Sequence, residues 1–373
     1  MRALIVWRIA YQYLQRNTMK TIWFFLLLVL NVIGVASAFP AGPAFVPTGV
    51  IDMLPTSMSD DASIVVGTGP YQVPNLYYTE GSGASIIGDG CFNGLPAISG
   101  DGTTVVGCHV NGQGNENAAK WLGGTSWQDL GSERGAVPCG TSLSGAYGVN
   151  QDGSLAVGLP WRAEVCHANA GYWNLTNRLP ARVLPMLFDG PATRANALNA
   201  NGNVMVGWQD QPTGERTAAK WVRNGAGYVE ELILTPRGGF NGEAMAVSAD
   251  GRTIVGGAYD FGNFAWMWRP QTGVQPIQVL GADNNTTLTA LGVSGNGKIV
   301  VGFANDGVQT RAFLWMAGSR GIFLDRFLAE HGVFVPAGWS LSVANLISAD
   351  GKTIYGWGFN PDKMIEMYKV VLD

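Results

Sequence analysis

Charge is scarce in this chain. Asp, Glu, Lys and Arg make up 13% of its 373 residues, about half the usual share, and Lys and Arg never form a run. Without such a run a protein is a poor ligand for phosphate backbones or anionic bilayers, so nucleic acid and membrane surfaces are excluded as partners. All 27 acidic residues lie beyond position 38, whereas Arg2, Arg8, Arg16 and Lys20 lie before it, which leaves the remainder with a net charge of about −8. Histidine is rarer still, and three residues give a nucleophile-base pair few possible members. Gly-x-Ser-x-Gly, His-Glu-x-x-His and a phosphate loop are all absent. Residues 81–83, Gly-Ser-Gly, lack the strand-to-helix setting of a dinucleotide site. The chain calls for no cofactor and no metal.

Cysteine is limited to Cys91, Cys108, Cys139 and Cys166. Residues 19–38 carry an apolar core, Trp-Phe-Phe-Leu-Leu-Leu, followed by Val-Ala-Ser-Ala, the small-x-small pattern of a signal-peptide cleavage site. Residues 1–18 form a long basic lead, with Met19 as an alternative start. A secreted chain meets an oxidising compartment, so the four cysteines are expected as disulfides. A hairpin turning at Asp152-Gly153 sets Cys139 opposite Cys166, and the remaining pair is Cys91 with Cys108. The Cys-His dipeptides at Cys108 and Cys166 match no zinc spacing.

What the chain has in abundance is glycine, 52 residues, much of it in a repeat. Residues 247–256 read Val-Ser-Ala-Asp-Gly-Arg-Thr-Ile-Val-Gly, and versions return along the whole mature sequence. The leading polar residues are Ser59, Ser99, Asn150, Asn199, Ser248, Ser294 and Ser348. The closing glycines are Gly67, Gly107, Gly158, Gly207, Gly256, Gly302 and Gly356. Asp-Gly or Asn-Gly in six copies predicts a tight two-residue hairpin turn, and the first copy departs with Asp61-Ala62. The copies recur roughly every 48 residues, a propeller-blade spacing. No unit is large enough to bury its own faces, so neighbours must stack.

Before each turn runs a strand of small residues, suited to an innermost position. After it comes an apolar run, as expected of a strand covered on both faces. An aromatic follows each closing Gly: Tyr78, Trp121, Trp173, Trp221, Trp268, Trp315 and Tyr368. These are expected to pack between blades, over the closing Gly. Residues 50–54 have no blade of their own and residues 366–372 end the last one, so the two are expected to pair and close a ring. The reading is an all-β, seven-bladed β-propeller in a single domain, residues 48–373, after a signal segment (1–38) and a Pro-rich lead-in (39–47). One helix is predicted at residues 324–332, where Leu324, Phe327 and Leu328 share a face and Gly332 stops it.

The hairpin motif, residues 312–315 (Ala-Phe-Leu-Trp), and the passage from Leu324 to Gly338-Trp339 together resemble the extracellular repeats of the HAF family. Arg311 stands where that family has the His of its name. The resemblance implies a secreted propeller-like repeat and assigns no activity. The hairpin differs from the sialidase Asp-box, since no residue separates Asp from Gly.

The turn acids, one per blade, are expected to serve the turns. A functional site then belongs on the opposite face, among the loops after the closing glycines and between blades. Candidates there are Trp161, Arg162, Trp208, Asp210, Arg216, Arg237, Asp260, Arg311 and Trp357, aromatic and charged side chains suited to a protein or glycan ligand. The expected protein is a monomeric, non-catalytic binding module, secreted to the periplasm or beyond, that makes no membrane contact once its leader is cleaved. The alternative is a polysaccharide-active hydrolase or lyase using loop carboxylates. That alternative requires two or more of Asp210, Glu215, Asp260 and Asp306 to converge at the axis.

Overall fold

The computed structural model describes residues 42–372, apart from 136–138, 163–165, 178–179, 189–191, 240 and 258–263. The expected signal segment and cleavage site lie outside them. The described residues form seven four-stranded antiparallel sheets, the blades of a β-propeller. The innermost strands are Leu54–Met58, Ala97–Ile98, Ser144–Val149, Thr193–Leu198, Glu243–Val247, Thr287–Val293 and Ser340–Ile347. Each blade continues outward in chain order, except the seventh, whose outermost strand comes from the other end of the chain. That strand, Ala44–Ile51, pairs antiparallel with Ile365–Val371, from Ala44 opposite Val371 to Ile51 opposite Glu366. The docking strand thus starts within the Pro-rich lead-in and stops before residues 52–54. Asp52 takes a left-handed φ of 57° that turns the chain, and Leu54 already belongs to blade 1. Pro47 is tolerated because the outermost strand needs no donor on its free side.

The repeated hairpin turns differently from the sequence expectation. Ser99 N–H donates to Thr104 O while Gly102 N–H donates to Ser99 O, giving a four-residue loop in place of a two-residue one. Only the Gly adopts a left-handed φ, 74° at Gly102 and 76° at Gly251, and Ala62 must do so at 58° in the first copy. Side chains fix the loop. The Ser99 hydroxyl donates to Asp101 Oδ1 at 2.6 Å and accepts Thr104 N–H at 2.9 Å, while Asp101 Oδ1 accepts Thr103 N–H at 2.9 Å. Ser248 and Asp250 repeat this set, and Asn150 replaces the Ser hydroxyl with its amide. The Ser99 hydroxyl holds the Asp101 carboxyl below its ordinary range, so these acids do serve the turns.

The residue between Ser/Asn and Asp joins blade to blade. Gln151 N–H donates to Ala200 O, Ala200 to Ala249 O, Ala249 to Gly295 O and Gly295 to Ala349 O, at 3.0–3.3 Å. Asp60 N–H donates to Gly100 O, and blade 2 departs from the pattern in that its turn acid, Asp101, donates the N–H to Gln151 O, both at 2.9 Å. Small side chains at most of these positions let the turns crowd the axis, so backbone hydrogen bonds draw the turn end of the central channel together.

The closing glycines owe their identity to this packing. Each of six inner strands carries a β-bulge at an equivalent position, at Thr56, Tyr147, Asn196, Met245, Leu291 and Asn345. The residue before the bulge pairs with the closing Gly, as Ala195 does with Gly207. A Cβ on Gly207 would lie 1.9 Å from Arg194 O, and on Gly302 2.0 Å from Thr289 O. No side chain fits there.

The aromatics pack between blades at two register positions. Tyr78, Trp173, Trp221, Trp268 and Trp315 oppose residues two before the closing Gly, so they do not cover it. The ring over the Gly is Trp266 in blade 5, Phe313 in blade 6 and Tyr368 in blade 7. Trp173 and Trp221 are fully buried and donate to Gly131 O and Pro185 O, carbonyls of the linkers that lead into their own blades. Trp221 also packs against Leu155 and Val157 of blade 3, and joins two blades in one core. The helix is Leu324–Glu330, with Leu324, Phe327 and Leu328 buried and Gly332 at φ 76° beyond its end.

Candidate functional site

The antiparallel order places the repeated turns at one end of the propeller and the loops after the closing glycines, with the blade linkers, at the other. On this loop face two groups of side chains come together. The first lies at the rim of the central channel, a cavity of about 290 Å³ lined by the inner strands. Arg194 and Glu243 begin the inner strands of blades 4 and 5, and Arg194 Nη2 donates to Glu243 Oε2 at 2.9 Å. Arg216 donates through Nη1 to Glu243 Oε1 at 2.6 Å and through Nε to Asp210 Oδ1 at 2.9 Å. Its guanidinium lies 3.5 Å above the Trp208 ring. Arg194 is also 4.6 Å from the Tyr147 ring, and Asn196, which shares the channel lining with Tyr147, bonds to both Arg194 and Glu243.

These charges answer one another. Burial works against the Arg216 cation, but Asp210 and Glu243 outweigh it and raise its pKa. Burial also raises the Tyr147 phenol, with Arg194 opposing. Two cations facing two carboxylates leave neither a free base nor an unpaired cation in this group. Trp208, 6% exposed, is a platform under Arg216, out of reach of a stacked ligand.

The second group lines a cleft of about 800 Å³ between blades 6 and 7. One wall runs from Asn305, at the end of the second strand of blade 6, through Gln309 in the loop to Thr310 and Arg311 at the start of the next strand. Opposite are Trp339, Ser340 and Ser342 at the start of blade 7, and Trp357 and Phe359 on its second strand. Arg311 Nη2 donates to both Asp325 oxygens, at 2.9 and 2.8 Å, and the guanidinium lies 3.8 Å over Phe323. Asp325 sits in the first turn of the helix, which is how that helix reaches the cleft.

Of the sequence candidates, Trp208, Asp210 and Arg216 thus fall into the channel rim, and Arg311 and Trp357 into the cleft. Trp161 and Arg162 stand elsewhere, after the second strand of blade 3, where Trp161 bridges to Ala168. Arg237 is exposed in the linker from blade 4 to blade 5, and Asp260 lies outside the described residues. Among the acids required for hydrolysis, Asp210 is clamped by Arg216, and Asp306 accepts the N–H groups of Val308 and Gln309 in its own loop. Glu215 shares the blade 4 loop with Asp210, two blades from Asp306. Sequence reasoning missed Arg194, Glu243 and Asp325. Arg194 and Glu243 occupy the same repeat position one unit apart, a signal that comparing units at that position would have exposed.

Cys91 joins Cys108 and Cys139 joins Cys166, with Cα separations of 5.6 and 5.4 Å. Both pairings agree with the sequence expectation, and they remove Cys108 and Cys166 from metal binding. His109, beside Cys108, instead bonds to Asp129 at 2.8 Å.

No family model matches the sequence, and no curated protein does. Solved structures do. The chain is similar to an oligogalacturonate lyase from Vibrio parahaemolyticus, at 11% identity and TM-score 0.51, with 88% of this chain and 91% of that one covered. A post-proline cleaving enzyme from Rickettsia typhi matches at 8% identity and TM-score 0.51, over 82% of this chain and 50% of that one. TolB from Acinetobacter baumannii matches at 14% identity and TM-score 0.46, over 75% of this chain, which spans only 62% of that protein. Likeness at these identities shows the propeller fold and nothing about activity. No helix of the described residues is long and apolar enough to cross a membrane.

Proposed function

We propose that this protein is a secreted, HAF-type propeller that binds a partner on its loop face and does not transform it. The observation that carries this reading is the blade 6–7 cleft. It has the volume of a small-ligand site, yet the only ionisable side chains lining it among the described residues, Arg311 and Asp325, are bonded to each other. Acid-base catalysis needs a group free to give or take a proton, and a hydrolase needs two carboxylates set across the substrate. The channel rim offers the same contrast, since its acids are held by arginines. Two disulfides support folding in an oxidising compartment. Incubation of the mature chain with a polysaccharide panel, scoring both retention and product, tests the reading. Retention without new reducing ends or unsaturated products is expected, and product release that grows with protein concentration would overturn it.

A further inference from the structure

Resting on that reading, we propose that the cleft between blades 6 and 7 is a carbohydrate site for an uncharged oligosaccharide. Three features of its wall point to this class. Trp357 and Phe359 are two apart on one strand and so share a face, with rings 6.1 Å apart and edge-to-face. Phe359 is 39% exposed. Each partly exposed ring, set at a right angle to the other, presents apolar surface of the kind that the C–H face of a pyranose covers.

Beside them Arg311 holds Asp325 through one nitrogen alone, with both hydrogen bonds leaving from Nη2. Asp325 Oδ1 also accepts Arg326 N–H at 2.9 Å, so the pair offers further arginine donors and the remaining acceptor capacity of Oδ2 within one anchored unit, a donor and an acceptor of the kind that sugar hydroxyls engage. Phe323 beneath the guanidinium and the helix beneath the carboxylate set that unit before a ligand arrives.

Charge then selects among ligands. The one cation of the cleft is balanced by the one anion, and the rest of the polar lining is neutral: Asn305, Gln309, Thr310, Ser340 and Ser342. A uronate or sulfated chain would find no unbalanced cation to offset its desolvation. About 800 Å³ accommodates a short chain of sugar rings.

The test is titration of the full mature chain with cello-, xylo- and malto-tetraose, with tetragalacturonate as the anionic counterpart, followed by tryptophan fluorescence and calorimetry. At least one neutral probe is expected to bind and perturb the fluorescence, with tetragalacturonate at least tenfold weaker. Trp357→Ala and Arg311→Ala should each weaken that binding tenfold or more. Trp357→Phe should recover part of it, and Lys298→Ala, on the turn face, should leave it unchanged. Circular dichroism melts establish that each variant is folded. Binding that survives both alanine variants overturns the location, and preference for tetragalacturonate, or no neutral probe bound, overturns the ligand class. Cleavage of a bound probe would instead sink the non-catalytic reading and leave the site in place.

Discussion

The two ends of the propeller are built on opposite principles. At the turn end the same side chains do the same work in blade after blade: a Ser or Asn accepts one N–H, an Asp or Asn accepts another, and the residue between them bonds to the next blade. At the loop end no two blades agree. Blades 4 and 5 interlock two arginines with two acids, blades 6 and 7 open a cleft, and blades 2 and 3 carry disulfides at different distances from their closing glycines. Repetition marks what every blade needs in order to fold, and departure from it marks what the molecule uses once.

This contrast can be broken by experiment. The largest effect is expected where a repeated residue meets backbone. Gly207→Ala places a Cβ 1.9 Å from Arg194 O, and the forced shift should cost about 3 kcal/mol or more. Gly112→Ala, with open space around it and no left-handed φ, should change stability by under about 0.5 kcal/mol. Equal melting temperatures for the two would remove the explanation of the closing glycines.

Next in size is a titration. Glu230 is 5% exposed, and burial pushes its carboxyl up to about 7 from 4.5, against the opposing hydrogen bond from Leu187 N–H. The folded state therefore keeps the proton longer than the unfolded one. Its contribution is fully present below pH 4.5 and is lost as pH rises to about 7, for a total of ~3 kcal/mol. Glu230→Gln should flatten that part of the curve and make the protein more stable than the parent at pH 8. Urea melts across pH 4–8 measure it, and parallel curves would contradict the assignment.

Arg216→Ala should cost about 2 kcal/mol, less than a fully buried pair because the arginine is 28% exposed. It leaves Glu243, 6% exposed, with Arg194 as its one cation and Asn196 as a neutral donor. Restoration by Arg216→Lys should be incomplete, since a lysine cannot span Asp210 and Glu243 as a fork does. The smallest expected change is Ser248→Ala, about 1 kcal/mol, for one turn's hydroxyl. It should leave any ligand affinity untouched, which is what separates the two ends. If turn-face substitutions altered binding as strongly as cleft substitutions, the division between them would fail.

The sequence by itself determined the repeat, the number of blades, the Cys139–Cys166 pairing and the work of the turn acids. Each of these follows from local spacing or from a contact repeated seven times, which a periodic pattern records. It also placed Asp210, Arg216, Arg311 and Trp357 on the loop face, where the structure has them. Only the tertiary structure decided which of them meet. Arg216 finds Glu243 in the next blade, and Trp357 joins Arg311 across a blade boundary. It also showed that Trp208 lies beneath its neighbours and that the Asp-Gly turn is a four-residue loop. These outcomes depend on how far one blade rotates against the next and on where a bulge turns a side chain. Such distances span some fifty residues of chain and leave no periodic trace in it.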